Sequence, residues 1–256
     1  MSTGSTTAGL RQELLIGKRE FDSYFADRPL RPIKAGDVLT PGDDATELLH
    51  VPVYRLRSGW ACQFRHLKNG RRSILDVYLP GNVIGLDAAL HTRPIENVLA
   101  LTSVAFDSTN ARGGLYGLLA HRQTALYVAW LLGQRQRRAD RLLMAISALD
   151  ARGRVAMMIY DFYKRLRVQR PAYSQSYNLP LTQSHIGSYL GLTVVHVNRV
   201  LRILRDEQIA TIEKHCVTIL NLDKLVKVAQ HNELDRQAAA AGDMPPYQTE
   251  ATFAAN

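Results

Sequence analysis

The apolar positions of this 256-residue chain change rhythm along its length. From Arg31 to residue 112, short β-rich runs are punctuated by Ala35-Gly36-Asp37, Pro41-Gly42-Asp43, Asn69-Gly70 and Pro80-Gly81-Asn82. Turn residues at that spacing predict hairpins in an all-β domain. The clearest run is 58–79, where Trp60, Cys62 and Phe64 alternate with Ala61, Gln63 and Arg65 before Ile74, Val77 and Leu79 return. Asn69-Gly70 supplies a type I′ turn between the two arms, and Cys62 is expected to point inward as a small core hydrophobe. From Gly113 to Leu149 the period lengthens to that of one long helix, apolar at Leu118, Leu126, Trp130 and Leu131, polar over 135–138, then apolar at Leu142, Ile146 and Leu149. Asp150 reads as the cap of a further helix through Val155, Ile159, Phe162 and Leu166.

A third texture occupies 181–204. Thr182 is a candidate N-cap, Ile186 and Leu190 sit at i and i+4, and Gly191 ends that short helix as a left-handed residue. Thr193 caps a second helix. At 100° per residue, Val197, Val200, Leu201 and Leu204 make one apolar stripe, while Val195, Arg199 and Arg202 point directly away from it, flanked by Asn198 and His196. Charge on the outer face of a lone helix is usually mere solvation. Here the partner helix and turn argue for more, as do two β-rich runs, Ile209 to Leu220, folded about Glu213-Lys214-His215. The combination predicts a winged helix-turn-helix.

The segment TQSHIGSYLGLTVVHVNRVLRILRDEQI resembles the signature of the Crp/Fnr superfamily of bacterial transcription regulators, with fixed Gly, Leu, Thr and Arg positions. SGWACQFRHLKNGRRSILDVYLPGNVIGLDAAL resembles that family's jelly-roll sensor domain. The resemblance implies an α+β protein with an N-terminal cyclic-nucleotide-binding-like β-jelly-roll, a long dimerisation helix and a C-terminal winged helix-turn-helix. The expected divisions are 1–30 for a tail and weak helix, 31–112 for the sensor, 113–149 for the dimerisation region, 150–230 for DNA binding and 231–256 for a disordered tail.

By that resemblance Val195, Asn198, Arg199 and Arg202 read bases, while Thr182, Gln183, Thr193 and His196 contact phosphates, joined by Lys214 and His215 from the wing. Thr182 and Thr193 would serve as N-caps with or without DNA. Leu142, Ile146 and Leu149 form the expected dimer seam. The family's cyclic-AMP cassette places a Glu just after the Gly that matches Gly85 and an Arg-Ser or Arg-Thr pair about ten residues later. Leu86 replaces the Glu and Pro94-Ile95-Glu96-Asn97-Val98 carries no Arg, so cyclic AMP is not expected as a ligand.

Composition sharpens this picture. The formal net charge is +9 and only Cys62 and Cys216 occur. Residues 151–230 carry 12 Lys/Arg against 5 Asp/Glu, a balance of +7, whereas residues 1–150 carry 19 against 14, or +5 over nearly twice the length. Positive charge is therefore densest around the helix-turn-helix, which favours double-stranded DNA as the partner. Two distant cysteines cannot supply the four thiolates of an iron–sulfur cluster. Haem through His50, His66, His91 or His121 stays open, although a lone His in a β domain is more often an ordinary surface or core residue. No run is long enough for a signal segment or membrane span, so a cytoplasmic protein without a membrane partner is expected.

Two other readings compete. A cupin-like enzyme with a basic helical attachment would need clustered metal ligands, and none of the eight His forms an H-x-H pair. A non-specific architectural DNA coat is equally compatible with basic charge. The expectation is a non-enzymatic, homodimeric, sequence-specific regulator with RNA polymerase as a further partner.

Overall fold

The computed structural model describes residues 3–26, 28–39, 53–68, 70–91, 97–109, 115–169 and 175–229. Sequence expectations at Pro41-Gly42-Asp43, His50, Asn69, residues 92–96 of the cassette and the 231–256 tail lie outside the described residues. The chain divides into two compact units, one of 1–65 with 75–140 and one of 66–74 with 141–256.

Among the described residues of the first unit, helix α1 (Thr3–Ser23) precedes eight short strands: β1 (Arg31–Ile33), β2 (Val38–Leu39), β3 (Tyr54–Ser58), β4 (Ala61–His66), β5 (Arg72–Tyr78), β6 (Val83–Ile84), β7 (Val98–Ala100) and β8 (Val104–Ser108). The short helix α2 (Leu86–Leu90) lies between β6 and β7. The strands form two four-stranded sheets, β1-β8-β3-β6 and β2-β7-β4-β5. Tyr54, Leu56, Ile84, Val104 and Phe106 of the first share one core cluster with Leu39, Ala61, Tyr78, Val98 and Ala100 of the second. Their joint burial makes a sandwich, as the alternating pattern required. Cys62 is 1% exposed and so points inward as expected.

The first helix is anchored ionically. Arg55 donates from Nε and Nη2 to both carboxylate oxygens of Asp107 on β8, at 3.1 and 2.8 Å, and from Nη1 to Asp22 of α1 at 2.7 Å. The same guanidinium lies over the Phe25 ring, 4.5 Å from its centroid. Gly17 lets α1 approach closely, since a Cβ there would sit 2.0 Å from the Gln123 carbonyl oxygen.

Two helices follow, α3 (Leu115–Leu119) and α4 (Arg122–Ala148). The expected single helix from Gly113 is thus broken at Ala120-His121. The Ala120 amide bonds only three residues back, to the Gly117 carbonyl at 3.3 Å, a tight last turn that ends the first helix.

The second unit is built on α5 (Ala151–Gln169), followed by β9 (Ser176–Asn178), α6 (Gln183–Leu190), α7 (Val194–Asp206), β10 (Ala210–Glu213), β11 (Cys216–Ile219) and α8 (Leu222–Val228). Asp150 does cap α5: its Oδ1 accepts the Gly153 amide at 2.7 Å. Val155, Met158, Ile159 and Phe162 turn the buried face of α5 toward α6, α7 and α8, with Phe162 stacked on Tyr189 of α6. Strand β9 joins the sheet β10-β11-β9 and pairs Tyr177 with Val217. The buried Tyr177 hydroxyl donates to the Ile159 carbonyl at 2.8 Å, and burial, with Asp161 adding to it, pushes its pKa up and keeps it a neutral donor.

Candidate nucleic-acid interface

The first recognition element is assembled from local chemistry. Thr182 Oγ1 accepts the His185 amide at 3.2 Å, and His185 Nδ1 accepts the Thr182 amide at 3.4 Å, a reciprocal capping box in which His takes the place usual for Glu or Gln. The imidazole accepts only when neutral at Nδ1. Partial burial and the nearby Arg72 charge both lower its pKa, which favours that form.

The turn depends on two glycines. Gly191 adopts φ 68°, and the Leu192 amide then bonds back to the Gly187 carbonyl at 2.9 Å. A Cβ on Gly187 would meet the Leu192 carbonyl oxygen at 2.6 Å, so the tight approach of turn to helix needs hydrogen there. Thr193 Oγ1 accepts the His196 amide at 3.2 Å and starts α7.

Along α7 the two stripes separate as the periodicity predicts. Val197, Val200 and Leu204 are buried and Leu201 is half-buried, each fully buried aliphatic side chain contributing about 1.5–3 kcal/mol. Val195, Asn198, Arg199 and Arg202 are all exposed on the other side, with Val195 79% exposed. An isolated β-branched apolar side chain held so far into solvent at the start of a helix contributes nothing to this core. Thr182, Gln183, Thr193 and His196 are exposed beside that stripe. Val194, which the sequence did not single out, is also 43% exposed in the first turn.

The wing supplies two more exposed cations or potential cations. Lys214 and His215 turn the β10–β11 hairpin with φ 48° and 62°, the two left-handed central residues of a type I′ geometry built without glycine. The Leu179 amide donates to the His215 carbonyl at 2.7 Å and braces the turn.

The three residues of the expected dimer seam differ in exposure. Ile146 is 36% exposed and Leu142 half-buried, but Leu149 is only 5% exposed. Leu149 follows the last turn of α4 and lies close against Gly153, where an added Cβ would come within 3.1 Å of it. The solvent-facing apolar residues of this region are instead Leu143 and Met144 with Ile146.

In the first unit, a cavity of about 580 Å³ is lined by Asp87, Leu132, Gly133, Arg135, Gln136 and Ala139. Arg135 is already partnered there, pairing with Asp87 at 2.5 Å and donating to Gln63 at 2.9 Å. Leu86, where the cassette Glu would stand, is 5% exposed. Among the described residues no cluster of three or more His, Cys, Asp or Glu is arranged to hold a metal ion, and no helix is long and apolar enough to cross a membrane.

Two short helices, α6 capped by Thr182 and α7 by Thr193, followed by the β10–β11 hairpin, define a winged helix-turn-helix of the DNA-binding class. Comparison with known proteins agrees. A family model described as a Crp-like helix-turn-helix domain matches residues 153–228. The fumarate and nitrate reduction regulatory protein of Escherichia coli K12 is 26% identical over 206 residues, covering 78% of each chain. An anaerobic regulatory protein of Aggregatibacter actinomycetemcomitans is 25% identical over 209 residues, covering 79% of this chain and 77% of the relative. The solved structure of FixK2 from Bradyrhizobium japonicum has the same fold, with a TM-score of 0.64 at 22% identity over 78% of this chain and 96% of its own. Residues 153–228 thus carry a Crp-like helix-turn-helix domain, and most of the chain is similar to transcription regulators of the Crp/Fnr kind.

Proposed function

We propose that the protein is a cytoplasmic, non-enzymatic regulator that binds a palindromic operator as a homodimer and works with RNA polymerase. The observation that carries this reading is the exposed stripe of Val195, Asn198, Arg199 and Arg202 on a helix whose opposite side is buried. Arg199 forks onto guanine O6 and N7, with Asn198 and Arg202 reading neighbouring bases. Thr182, Gln183, Thr193 and His196, with Lys214 and His215 of the wing, contact phosphates and fix the register. The specific reading is favoured over an architectural coat because a coat has no use for an exposed Val195 among the cations.

Val195 gives the reading its test. Many relatives carry at this position a Glu that accepts from cytosine N4, which valine cannot do. Its methyls instead suit the C5-methyl of thymine. In selection from a randomised duplex pool, Val195→Glu should move preference toward cytosine at one symmetric step per half-site, a discrimination of about 1–3 kcal/mol. Recovery of an unchanged motif would show that Val195 does not face a base.

The seam of the homodimer is assigned to Ile146 with Leu143 and Met144. Ile146→Glu puts a charge on that face and should raise the dimer dissociation constant on the order of 10-fold or more. Sedimentation equilibrium would read this, and an unaltered constant would move the seam elsewhere.

The signal is read more narrowly. Leu86 in place of a carboxylate, and Arg135 engaged by Asp87, argue against a cyclic-AMP sensor. Two cysteines in the chain, one of them buried, argue against an iron–sulfur cluster of the four-thiolate kind. His66, His91 and His121 remain candidates for a haem ligand only by residue type.

A further inference from the structure

The tip of the β4–β5 hairpin, His66–Ile74, belongs to the compact unit of the winged helix-turn-helix. It carries Lys68, Arg71 and Arg72 and no acidic residue, a balance of +3 in nine positions. His66, Lys68, Arg71 and Arg72 are all exposed. Its geometry is firm: the Leu67 amide donates to the Arg71 carbonyl at 2.8 Å, and the Gly70 amide to the Leu67 carbonyl at 2.9 Å, with Gly70 at φ 77°.

The hairpin is seated on α6 by one side chain. Ser188 Oγ donates to the Arg72 carbonyl at 2.7 Å and accepts the Ile74 amide at 3.0 Å. The carbonyl of one residue and the amide two positions on lie on the same edge of a strand, and among the described residues β5 stands at the edge of its sheet. A single hydroxyl thus satisfies the pair of groups that a neighbouring strand would have taken. The contact is to backbone atoms of the tip and places it against α6. Arg72 lies near enough to His185, in the first turn of α6, for its charge to help lower that imidazole's pKa.

We infer that this hairpin tip is an additional DNA-contacting element, whose Lys68 and Arg71 bind backbone phosphates beside those held by the helix-turn-helix. The inference rests on the DNA-binding reading above and extends it. Three positive charges with no carboxylate among them match a phosphate strand. Their seat on α6, the helix bearing Thr182 and Gln183, makes the basic surface continuous with the proposed interface. The contact carries no base information, so it strengthens binding to every duplex alike.

The experiment uses the full chain and two duplexes of equal length, one selected from the random pool and one of scrambled sequence, titrated by fluorescence anisotropy at several salt concentrations. Lys68→Ala/Arg71→Ala should weaken binding to both duplexes by the same factor. It should also make the slope of log affinity against log salt shallower by about 0.9 for each phosphate lost. The gap between wild type and variant then closes about 3-fold per contact for each fourfold rise in salt. Lys68→Arg/Arg71→Lys should retain the wild-type slope, which separates charge from folding of the hairpin. A double alanine variant with wild-type affinity and slope on both duplexes overturns the inference. If the wild type binds the two duplexes equally but the variant still loses slope, specific recognition fails while the hairpin contact stands. If the wild type binds neither, both fail.

Discussion

Arg199→Ala should lower affinity for the selected operator by about 2–6 kcal/mol, two half-sites losing about 1–3 kcal/mol each, while binding to scrambled DNA falls only slightly. The reason lies in the two faces of α7. Val197, Val200 and Leu204 hold the helix from one side, so deleting an exposed guanidinium on the other leaves its packing intact. What is lost is a planar fork whose two donors match two acceptors on one guanine edge, a match that Lys cannot reproduce. Arg199→Lys should therefore recover the salt-dependent part of binding but little of the discrimination. Competition titrations of operator against scrambled duplex measure the ratio directly. Equal losses on both duplexes would make Arg199 a phosphate contact and would require α7 to be rotated relative to the proposed groove.

Helix α7 and its partner were legible in the sequence because what specifies them is local. Thr182 and Thr193 cap within three residues, Gly191 turns the chain at one position, and the apolar stripe repeats within a single helix. The buried Cys62 followed from period two in the same way. Elements defined by distant partners were not legible. Strand β9 is three residues long with only Tyr177 buried, and its identity comes from pairing with β11 forty residues away. Leu149 fits the seam by spacing, yet the chain leaves α4 just before it and folds it against Gly153. The seat of the β4–β5 hairpin had no signature at all. It is made by the hydroxyl of Ser188 to backbone atoms more than a hundred residues earlier, and any residue type at 72 and 74 except proline at 74 would offer the same groups.

The ion pair Arg55–Asp107 between β3 and β8, whose arginine also reaches Asp22 of α1, was equally invisible, and its removal should have the largest effect on stability. Asp107 is 3% exposed at its side chain and Arg55 9%, so Asp107→Ala strands a buried guanidinium rather than merely deleting a contact. The expected cost is about 3–5 kcal/mol, seen as a loss of Tm on the order of 10 °C in thermal unfolding followed by circular dichroism. Asp22 cannot compensate fully. It engages only Nη1, is itself 37% exposed, and already pairs with Lys18 at 2.6 Å. The charge rather than the volume is the cause, and the double variant Arg55→Leu/Asp107→Leu tests this by removing both ions. Its remaining losses are small, because Asp22 keeps Lys18 and Arg57, 39% exposed, is hydrated when its 3.3 Å contact to Asp107 is gone. The double variant should therefore be more stable than Asp107→Ala alone. A single variant costing under about 1 kcal/mol would mean that water reaches Arg55. A double variant less stable than the single would mean that the site relies on the shape of these two side chains, not on the neutralisation of one by the other.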